Sequence, residues 1–255
     1  MIHSVKNQLE YASLKPDGVL KDLVESIWMM RYQADEKQES IIVPDGKLDI
    51  ALLAVENGSF EMFISGISTG PVIKPPFPKS TMFVISFYPI AAEYIFNQSF
   101  TDLKNDRQKL PEGYWGFCKD DLADFGSFYE KACQMIASKL IHQVDFRKKH
   151  LFELIYASKG AVTVKELSGQ VGWSSRQINR YFNHWLGVSL KSYLNIIRFS
   201  NSLKQLKKGD FYPELNYGDQ SHFIREVRKF AGVNPTFLNK NKNDRFIQLS
   251  MMPEG

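Results

Sequence analysis

Four polar side chains recur at intervals of three and four residues in the C-terminal half of the chain: Arg176, Asn179, Arg180 and Asn183. This spacing places them on one face of a helix. The opposite face would be apolar and would comprise Ile178, Phe182 and Trp185 or Leu186. Arginine and amide side chains form paired hydrogen bonds with guanine and adenine edges in the major groove of DNA. The pattern therefore predicts a helix suited to reading base pairs.

Local signals predict the elements that would position this helix. Thr163, with Glu166 three residues later, forms a capping-box pattern at the start of a preceding helix. Gly172 would end that helix, and Ser174 or Ser175 would cap the next one. A short helix, a turn containing glycine and a second helix with outward arginines form the helix-turn-helix arrangement.

A longer run resembles the AraC-type (arabinose-regulator) transcription factors in residue type and spacing: Leu167, Gly172, Ser174, Ile178, Arg180, Phe182, Gly187, Tyr193 and Arg198. The segment 219–238 is similar to the family's second recognition helix and its closing G-V-x-P-x-x-F signature. The resemblance spans residues 145–240. It implies an all-α DNA-binding domain with two helix-turn-helix units joined by a long helix, here predicted at 190–206.

The resemblance also implies which side chains meet DNA. In the first unit these are Arg176, Gln177, Asn179 and Arg180, and in the second unit they are Gln220, Ser221, His222 and Arg225. Basic residues that would contact phosphates are Lys165, Lys191, Arg198 and Arg228. For Arg180 the family leaves a second role open, that of a structural anchor paired with a neighbouring helix.

The second unit departs from the family pattern. Only nine residues, 210–218, separate the long helix from the second recognition helix, where relatives use several more to build a complete scaffolding helix. Pro213 leaves room for about one helical turn. We therefore expect a shortened second unit, for which DNA contact and a purely structural role both stay open.

Charge is distributed unequally along the 255 residues. Residues 1–144 contain 14 Lys and Arg against 19 Asp and Glu, a net charge of −5. Residues 145–255 contain 18 against 9, a net charge of +9. This asymmetry predicts that only the C-terminal half meets a polyanion, although a solvated basic surface is the alternative that charge alone leaves open.

Enzymatic and metal-binding patterns are not found in the sequence. The five histidines lack metal-ligand spacing, and the sequence contains no G-x-S-x-G, P-loop or G-x-G-x-x-G motif. Cys118 and Cys133 stand fifteen residues apart and fit small buried hydrophobes in a reducing compartment. We therefore expect no enzyme, no metal and no cofactor. We also expect a cytoplasmic protein without membrane contact, because no apolar run has the length of a signal or a span.

The N-terminal half predicts an α+β domain that is rich in strands, with a half-barrel as one arrangement. Helical spacing covers 20–32, with a strand near Trp28 as the alternative for the end of that stretch, and 41–54 has a hairpin-like signature around Pro44 and Gly46. Further strands are predicted at 60–67 and 82–88, and further helices at 90–96, 125–140 and 146–158. The helix at 125–140 is expected to pack between the two halves.

Seven aromatic side chains of this half are candidates to line a small-molecule pocket, with an ordinary core as the alternative: Trp28, Phe60, Phe63, Phe77, Phe83, Phe87 and Tyr88. Parts of the half resemble the sensor domain of one AraC-type subgroup. The segment 86–89 lacks the glycine-rich stretch expected in relatives, so no ligand site is carried over. We divide the chain into a sensor or dimerisation domain (1–120), a helical linker (121–144), the DNA-binding domain (145–240) and a tail (241–255).

The predicted function is that of a sequence-specific transcription regulator that binds double-stranded DNA. Its first recognition helix, at about 175–186, would enter the major groove. A small-molecule effector, a second copy of the chain and RNA polymerase are further candidate partners. The alternative is a protein-interaction module of the same fold that has lost specific DNA binding through its shortened second unit.

Overall fold

The structure is a computed structural model that describes residues 2–6, 9–33, 39–56, 58–74, 79–211, 217–241 and 245–252, with side chains from residue 9 onward. A strand-rich N-terminal region precedes a helical C-terminal region, as the sequence predicts. Phe77 and Pro213 lie outside the described residues.

Seven strands of the described chain form one antiparallel sheet in the order β1-β2-β3-β8-β5-β6-β9. A separate pair is formed by β4 and β7. The strands are β1 (Ile2–Lys6), β2 (Leu9–Leu14), β3 (Val24–Tyr32), β4 (Ser40–Ile42), β5 (Leu48–Val55), β6 (Phe60–Ser65), β7 (Val72–Lys74), β8 (Ser80–Phe87) and β9 (Arg107–Leu110). The strands predicted at 60–67 and 82–88 are thus confirmed, and the sheet is open, with β1 and β9 at its edges.

One face of the sheet is covered by the helix α2 (Phe125–Lys139), and a short helix, α1 (Ala91–Tyr94), follows β8. Phe83 in β8 is fully buried and lies 5.5 and 5.1 Å, centre to centre, from the rings of Phe125 and Phe128. The helix predicted at 125–140 therefore exists, but it packs against this sheet and not between the two halves. Its aromatic first turns fit the apolar face that alternation along β8 creates.

Two other predictions for this half are wrong. The helix at 20–32 is not formed: the stretch is a 3-10 turn (Gly18–Asp22) followed by β3, which confirms the alternative of a strand near Trp28. Pairing with β2 and β8 on both sides overrides the helical spacing. The stretch 41–54 is not a hairpin. Ile41 in β4 pairs with Ile73, while β5 pairs with β6 and β8. Non-local pairing of this kind leaves no local signal.

The C-terminal region contains seven helices in its described residues: α3 (Phe146–Ala157), α4 (Val164–Val171), α5 (Ser175–Leu186), α6 (Leu190–Lys207), α7 (Gln220–Ala231), α8 (Pro235–Lys240) and α9 (Ile247–Met251). The first four agree with the predicted helices. The described residues between α6 and α7 contain no helix, and residues 212–216 lie outside them. The predicted shortening of the second unit is consistent with this.

The two regions pack closely together. Lys148 and Lys149, in the first turn of α3, form ion pairs of 2.5 and 2.6 Å with Glu93 and Asp22 of the N-terminal region. The predicted tail also returns to that region, since the side chain of Gln248 in α9 accepts from the backbone N–H of Val43 and donates to its carbonyl. Both ends of the helical region therefore contact the N-terminal sheet and its loops.

Candidate nucleic-acid interface and ligand cavity

The helix α5 is held at its start by reciprocal capping. The Ser174 hydroxyl accepts from the Gln177 N–H at 3.2 Å, and the Gln177 side-chain oxygen accepts from the Ser174 N–H at 2.8 Å. Thr163 and Glu166 form the equivalent box at the start of α4, as predicted. Gly172 adopts a left-handed φ of 70° between the two helices. Such caps satisfy the backbone N–H groups that a helix start leaves free.

Arg176, Gln177 and Arg180 are exposed on the N-terminal half of α5, while Ile178 and Phe182 on its other face are fully buried. Neither arginine forms an ion pair with any residue that the structure describes. Two free guanidinium groups therefore project from one turn of an exposed helix face. An anchoring ion pair of Arg180 with a neighbouring helix is not observed in the described residues.

Asn179 forms hydrogen bonds within the protein. Its amide nitrogen donates to the Ser175 carbonyl at 2.9 Å, and its oxygen accepts from the Leu190 N–H at 3.2 Å. That N–H lies at the start of α6, where it has no partner within its own helix. Because both polar atoms form hydrogen bonds within the protein, the half-buried Asn179 positions α6.

The C-terminal end of α5 is hydrogen-bonded to the N-terminal region. The Phe100 N–H donates to the Trp185 carbonyl at 2.8 Å, and the Ser99 hydroxyl donates to that of His184 at 2.6 Å. The Thr101 hydroxyl reaches the Asn183 carbonyl at 3.2 Å. These contacts satisfy carbonyls that a helix end leaves open. Sequence reasoning missed them, since residues some 80 positions apart give no local signal.

The second unit also exposes three of its four predicted side chains. Asp219 caps α7 as predicted, accepting from the His222 N–H at 2.6 Å, and Gln220, Ser221 and Arg225 are exposed. His222 is half-buried, and its Nδ1 accepts from the Gly218 N–H at 3.3 Å. This role in the turn before α7 explains His222 without DNA.

The four predicted phosphate contacts also differ in whether their side chains are exposed or engaged within the protein. Lys165 and Lys191 are exposed. Arg198 is half-buried, donates to Asn195 at 2.5 Å and lies 5.2 Å from the ring centre of Tyr217, so it belongs to the fold. Arg228 is exposed, although its Nε donates to Asn234.

A cavity of about 1250 Å³ lies against the other face of the N-terminal sheet. Its lining comes from strands of that sheet, from β4, β7 and neighbouring loops, and from α6 and α9 of the helical region. Representative residues are Trp28, Asp49, Phe63 and Ser86 from the strands, with Lys204 and Met251 from the helices. The cavity is therefore shared by the two regions.

The cavity end near Asp49 holds buried charge. Asp49 accepts from the Ser86 hydroxyl at 2.6 Å, and Ser86 accepts from the Trp28 indole N–H at 3.0 Å. Burial, together with the charge of Asp45, raises the pKa of Asp49 to about 7. Burial also lowers the pKa of Lys47, against the opposing effect of the surrounding carboxylates.

Lys47 links this end of the cavity to the helical region. Its Nζ lies 4.3 Å from the ring centre of Tyr88 and 4.7 Å from that of Tyr156 in α3. The Tyr156 and Tyr193 hydroxyls are 2.7 Å apart, and the Tyr193 hydroxyl donates to the Gly46 carbonyl at 3.1 Å. A change at Lys47 would therefore reach α3 and α6 directly.

The seven candidate pocket aromatics have different positions. Trp28 and Phe63 line the cavity, whereas Phe83 and Phe87 are fully buried in the core on the other face of the sheet. Phe60 is half-buried, and Tyr88 contacts Lys47. Alternation along the strands, which the amino-acid types alone do not reveal, decides these positions.

Comparison with known proteins agrees with this geometry. Residues 167–241 match the sequence family described as "Helix-turn-helix domain", which is of the AraC type, and residues 12–109 match a "Domain of unknown function (DUF6597)". The helical region is therefore an AraC-type helix-turn-helix domain, a class of DNA-binding domain found in transcription regulators. No curated protein matches the chain.

Solved structures of ToxT from Vibrio cholerae are similar to this chain at low identity. One is 13% identical, covering 89% of this chain and 99% of that one, with a TM-score of 0.46. A second, with a bound unsaturated fatty acid, is 11% identical over 84% and 95%, also with a TM-score of 0.46. A third, bound to (E)-4-(8-methylnaphthalen-1-yl)but-3-enoic acid, is 13% identical over 83% and 98%, with the same TM-score.

Two further findings concern the described residues only. No helix among them is long and apolar enough to cross a membrane. No three His, Cys, Asp or Glu side chains among them are grouped so that they could hold a metal ion.

Proposed function

We propose that the protein is a sequence-specific transcription regulator whose helix α5 enters the major groove of its operator. The observation that carries this proposal is the pair of exposed arginines, Arg176 and Arg180, on the N-terminal half of a doubly capped second helix. In helix-turn-helix proteins the N-terminal residues of the second helix contact base edges, and arginine reads guanine with two hydrogen bonds.

The direct test is fluorescence anisotropy of the full chain on the DNA upstream of its own gene and on a scrambled duplex. A salt series is needed because phosphate contacts make affinity depend on ionic strength. We expect a preference of at least ~10³ for one sequence. Equal and steeply salt-dependent binding to both duplexes would refute the proposal.

The proposal assigns a sensing role to the N-terminal region. Its cavity is lined by both regions, and Lys47 connects that cavity to Tyr156 and, through Tyr193, to α6. A ligand that moved Lys47 would change how α3 and α6 pack, and α6 meets α5 at Asn179. The expected readout is a change in operator affinity when the cavity is filled.

A second candidate function is a protein-interaction module of the same fold. It is favoured by the absence of a scaffolding helix in the described residues before α7 and by the engaged side chain of His222. This reading predicts that the operator competes no better than heparin for the basic surface. Specific binding by the first unit alone would exclude it.

Two further partners remain predictions. A second copy of the chain would associate through the N-terminal region, where β1 is an open sheet edge. Sedimentation at several concentrations tests this association. RNA polymerase is the partner expected of an activator, and transcription in a purified system tests it.

A further inference from the structure

We propose that the cavity binds a zwitterion, a small molecule that carries a protonated amine and a carboxylate at separate positions. The inference deepens the sensing role assigned above and rests on it. Two parts of the cavity lining carry it, defined as the acidic end (Glu25, Asp45 and Asp49) and the basic end (Lys74 and Arg107).

The strand register fixes where the two ends lie. Ser86, Asp49, Ser65 and Arg107 are register partners across β8, β5, β6 and β9, and all four line the cavity. Asp49 and Arg107 are thus two strands apart, which corresponds to ~10 Å between their backbones. Ser65 lies between them. The sheet therefore holds unlike charges in one row without an ion pair between them.

The acidic end has more carboxyl groups than cationic groups. Three carboxylates face Lys47, and Lys15 forms an ion pair with Glu25 at 3.3 Å, which leaves one carboxylate in excess. The pKa of Asp49 is about 7 because burial and the neighbouring Asp45 disfavour its ionised form. A ligand ammonium group would supply the missing positive charge.

The basic end has the opposite imbalance. Lys74 Nζ and the Arg107 guanidinium lie 5.8 and 4.6 Å from the ring centre of Phe63. Burial and the nearby Arg107 lower the pKa of Lys74. Asp106 also lines this end, where its carboxylate accepts from the backbone N–H of Arg107. Neither Lys74 nor Arg107 forms an ion pair within the described part of the chain. A ligand carboxylate would relieve this repulsion.

The row beside the charged one is apolar. Trp28, Val84, Ala51 and Phe63 are register partners across β3, β8, β5 and β6, and each lines the cavity. They offer a surface for the carbon skeleton between the two ligand charges. A ligand that carried only a carboxylate would leave the acidic end without a positive partner. A ligand that carried only an amine would leave the basic end without a negative partner.

The test is isothermal titration of the full chain with unbranched ω-amino acids, from glycine to 7-aminoheptanoate. The matching alkylamines and alkanoates of each length are the singly charged comparison. We expect at least one zwitterion to bind ~10-fold or more tightly than both of its singly charged analogues. The proposal is overturned if an amine or an alkanoate binds as tightly as every zwitterion, or if no zwitterion binds.

Variants separate the two ends. Asp49→Asn should reduce the best zwitterion to the affinity of its alkanoate, and Arg107→Gln should reduce it to that of its amine. Arg107 is exposed on an edge strand, so its variant tests the proposal even if Asp49→Asn fails to fold. The matched control is Lys109→Gln on the same strand, where Lys109 pairs with Glu61 at 3.2 Å and lies outside the cavity lining. An equal loss in the control would refute the assignment.

This titration contains no DNA, so its outcome is independent of the operator experiment. Zwitterion binding without operator preference would keep the ligand assignment and remove the regulator. Operator preference without zwitterion binding would keep the regulator and remove the ligand assignment.

Discussion

The two helix-turn-helix units of this chain differ in how their recognition helices are held. In the first unit, α5 is capped by a reciprocal box, projects two free arginines and is seated at its far end on Ser99, Phe100 and Thr101. In the second unit, α7 is capped by Asp219, and no helix precedes it in the described residues 208–211 and 217–219. We propose on this ground that the first unit reads sequence and that the second supports it.

The glycines that end the two helices give the sharpest test of this difference. Gly187 and Gly232 both have left-handed φ values, +66° and +72°. A Cβ on Gly187 would lie 3.0 Å from the Thr101 Cα, a backbone atom that cannot rotate away. On Gly232 it would meet a Pro71 side-chain atom at 3.4 Å.

We therefore expect Gly187→Ala to lower the free energy of unfolding by about 2–4 kcal/mol and Gly232→Ala by about 1–2 kcal/mol. Both variants bear the left-handed strain, and only the first also displaces Thr101. Denaturant titration followed by circular dichroism measures the two values. Equal losses would mean that the contact between the end of α5 and Thr101 contributes nothing to the free energy of unfolding.

Base reading should also differ between the units. Arg180→Ala should remove about 1–3 kcal/mol of discrimination between the operator and a duplex altered at one base pair. Arg225→Ala in α7 should remove less. Anisotropy on both duplexes at one salt concentration measures the discrimination. If Arg180→Ala weakened every duplex alike while the domain stayed folded, its base-reading role would be wrong.

The two asparagines of α5 should differ in their contribution to stability, because Asn179 positions α6 and Asn183 is exposed to solvent. Asn179→Ala leaves the Leu190 N–H without its partner and should cost about 1–2 kcal/mol of stability. Asn183 is exposed, so Asn183→Ala should change stability by less than about 0.5 kcal/mol. Thermal unfolding of the two variants gives the comparison. A stable Asn179→Ala protein that loses only sequence preference would restore Asn179 as a base reader.

Among these variants, Lys191→Ala should have the smallest effect, which is on the affinity for DNA. As an exposed phosphate contact at the start of α6, its removal in Lys191→Ala should weaken all duplexes alike, by less than about tenfold. The slope of log affinity against log salt should become shallower by about 0.9. Lys139→Ala, exposed on the N-terminal region, is the control and should leave the slope unchanged. A slope that did not move for Lys191→Ala would place this lysine away from the DNA.

Much of the first unit could be predicted because its signals are local. Thr163, Gly172 and Ser174 act through backbone atoms within three residues, so their types and spacing suffice. The burial of Ile178 and Phe182 follows from helical periodicity in the same way. The division into a strand-rich and a helical region was predictable on the same grounds.

The misses have a common cause, which is contact between distant parts of the chain. Asn179 has the type and position of a base reader, and only the tertiary structure shows that its side chain also bonds to the Leu190 N–H. The stretch 41–54 resembles a hairpin, but β4 pairs with β7, and the turn at Gly46 packs against Tyr193 and Ile197 of α6. Sequence spacing carries no information on such partners.

The sequence by itself determined the helices α3 to α6, the caps of α4, α5 and α7 and the polar face of α5, because hydrogen bonding within a turn depends only on neighbours. The tertiary structure alone decided that Ser99, Phe100 and Thr101 hold the end of α5. It also decided that Asp49 and Arg107 face one cavity from strands two apart. Those arrangements depend on strand register and interdomain packing, which bring together residues that lie far apart in the chain.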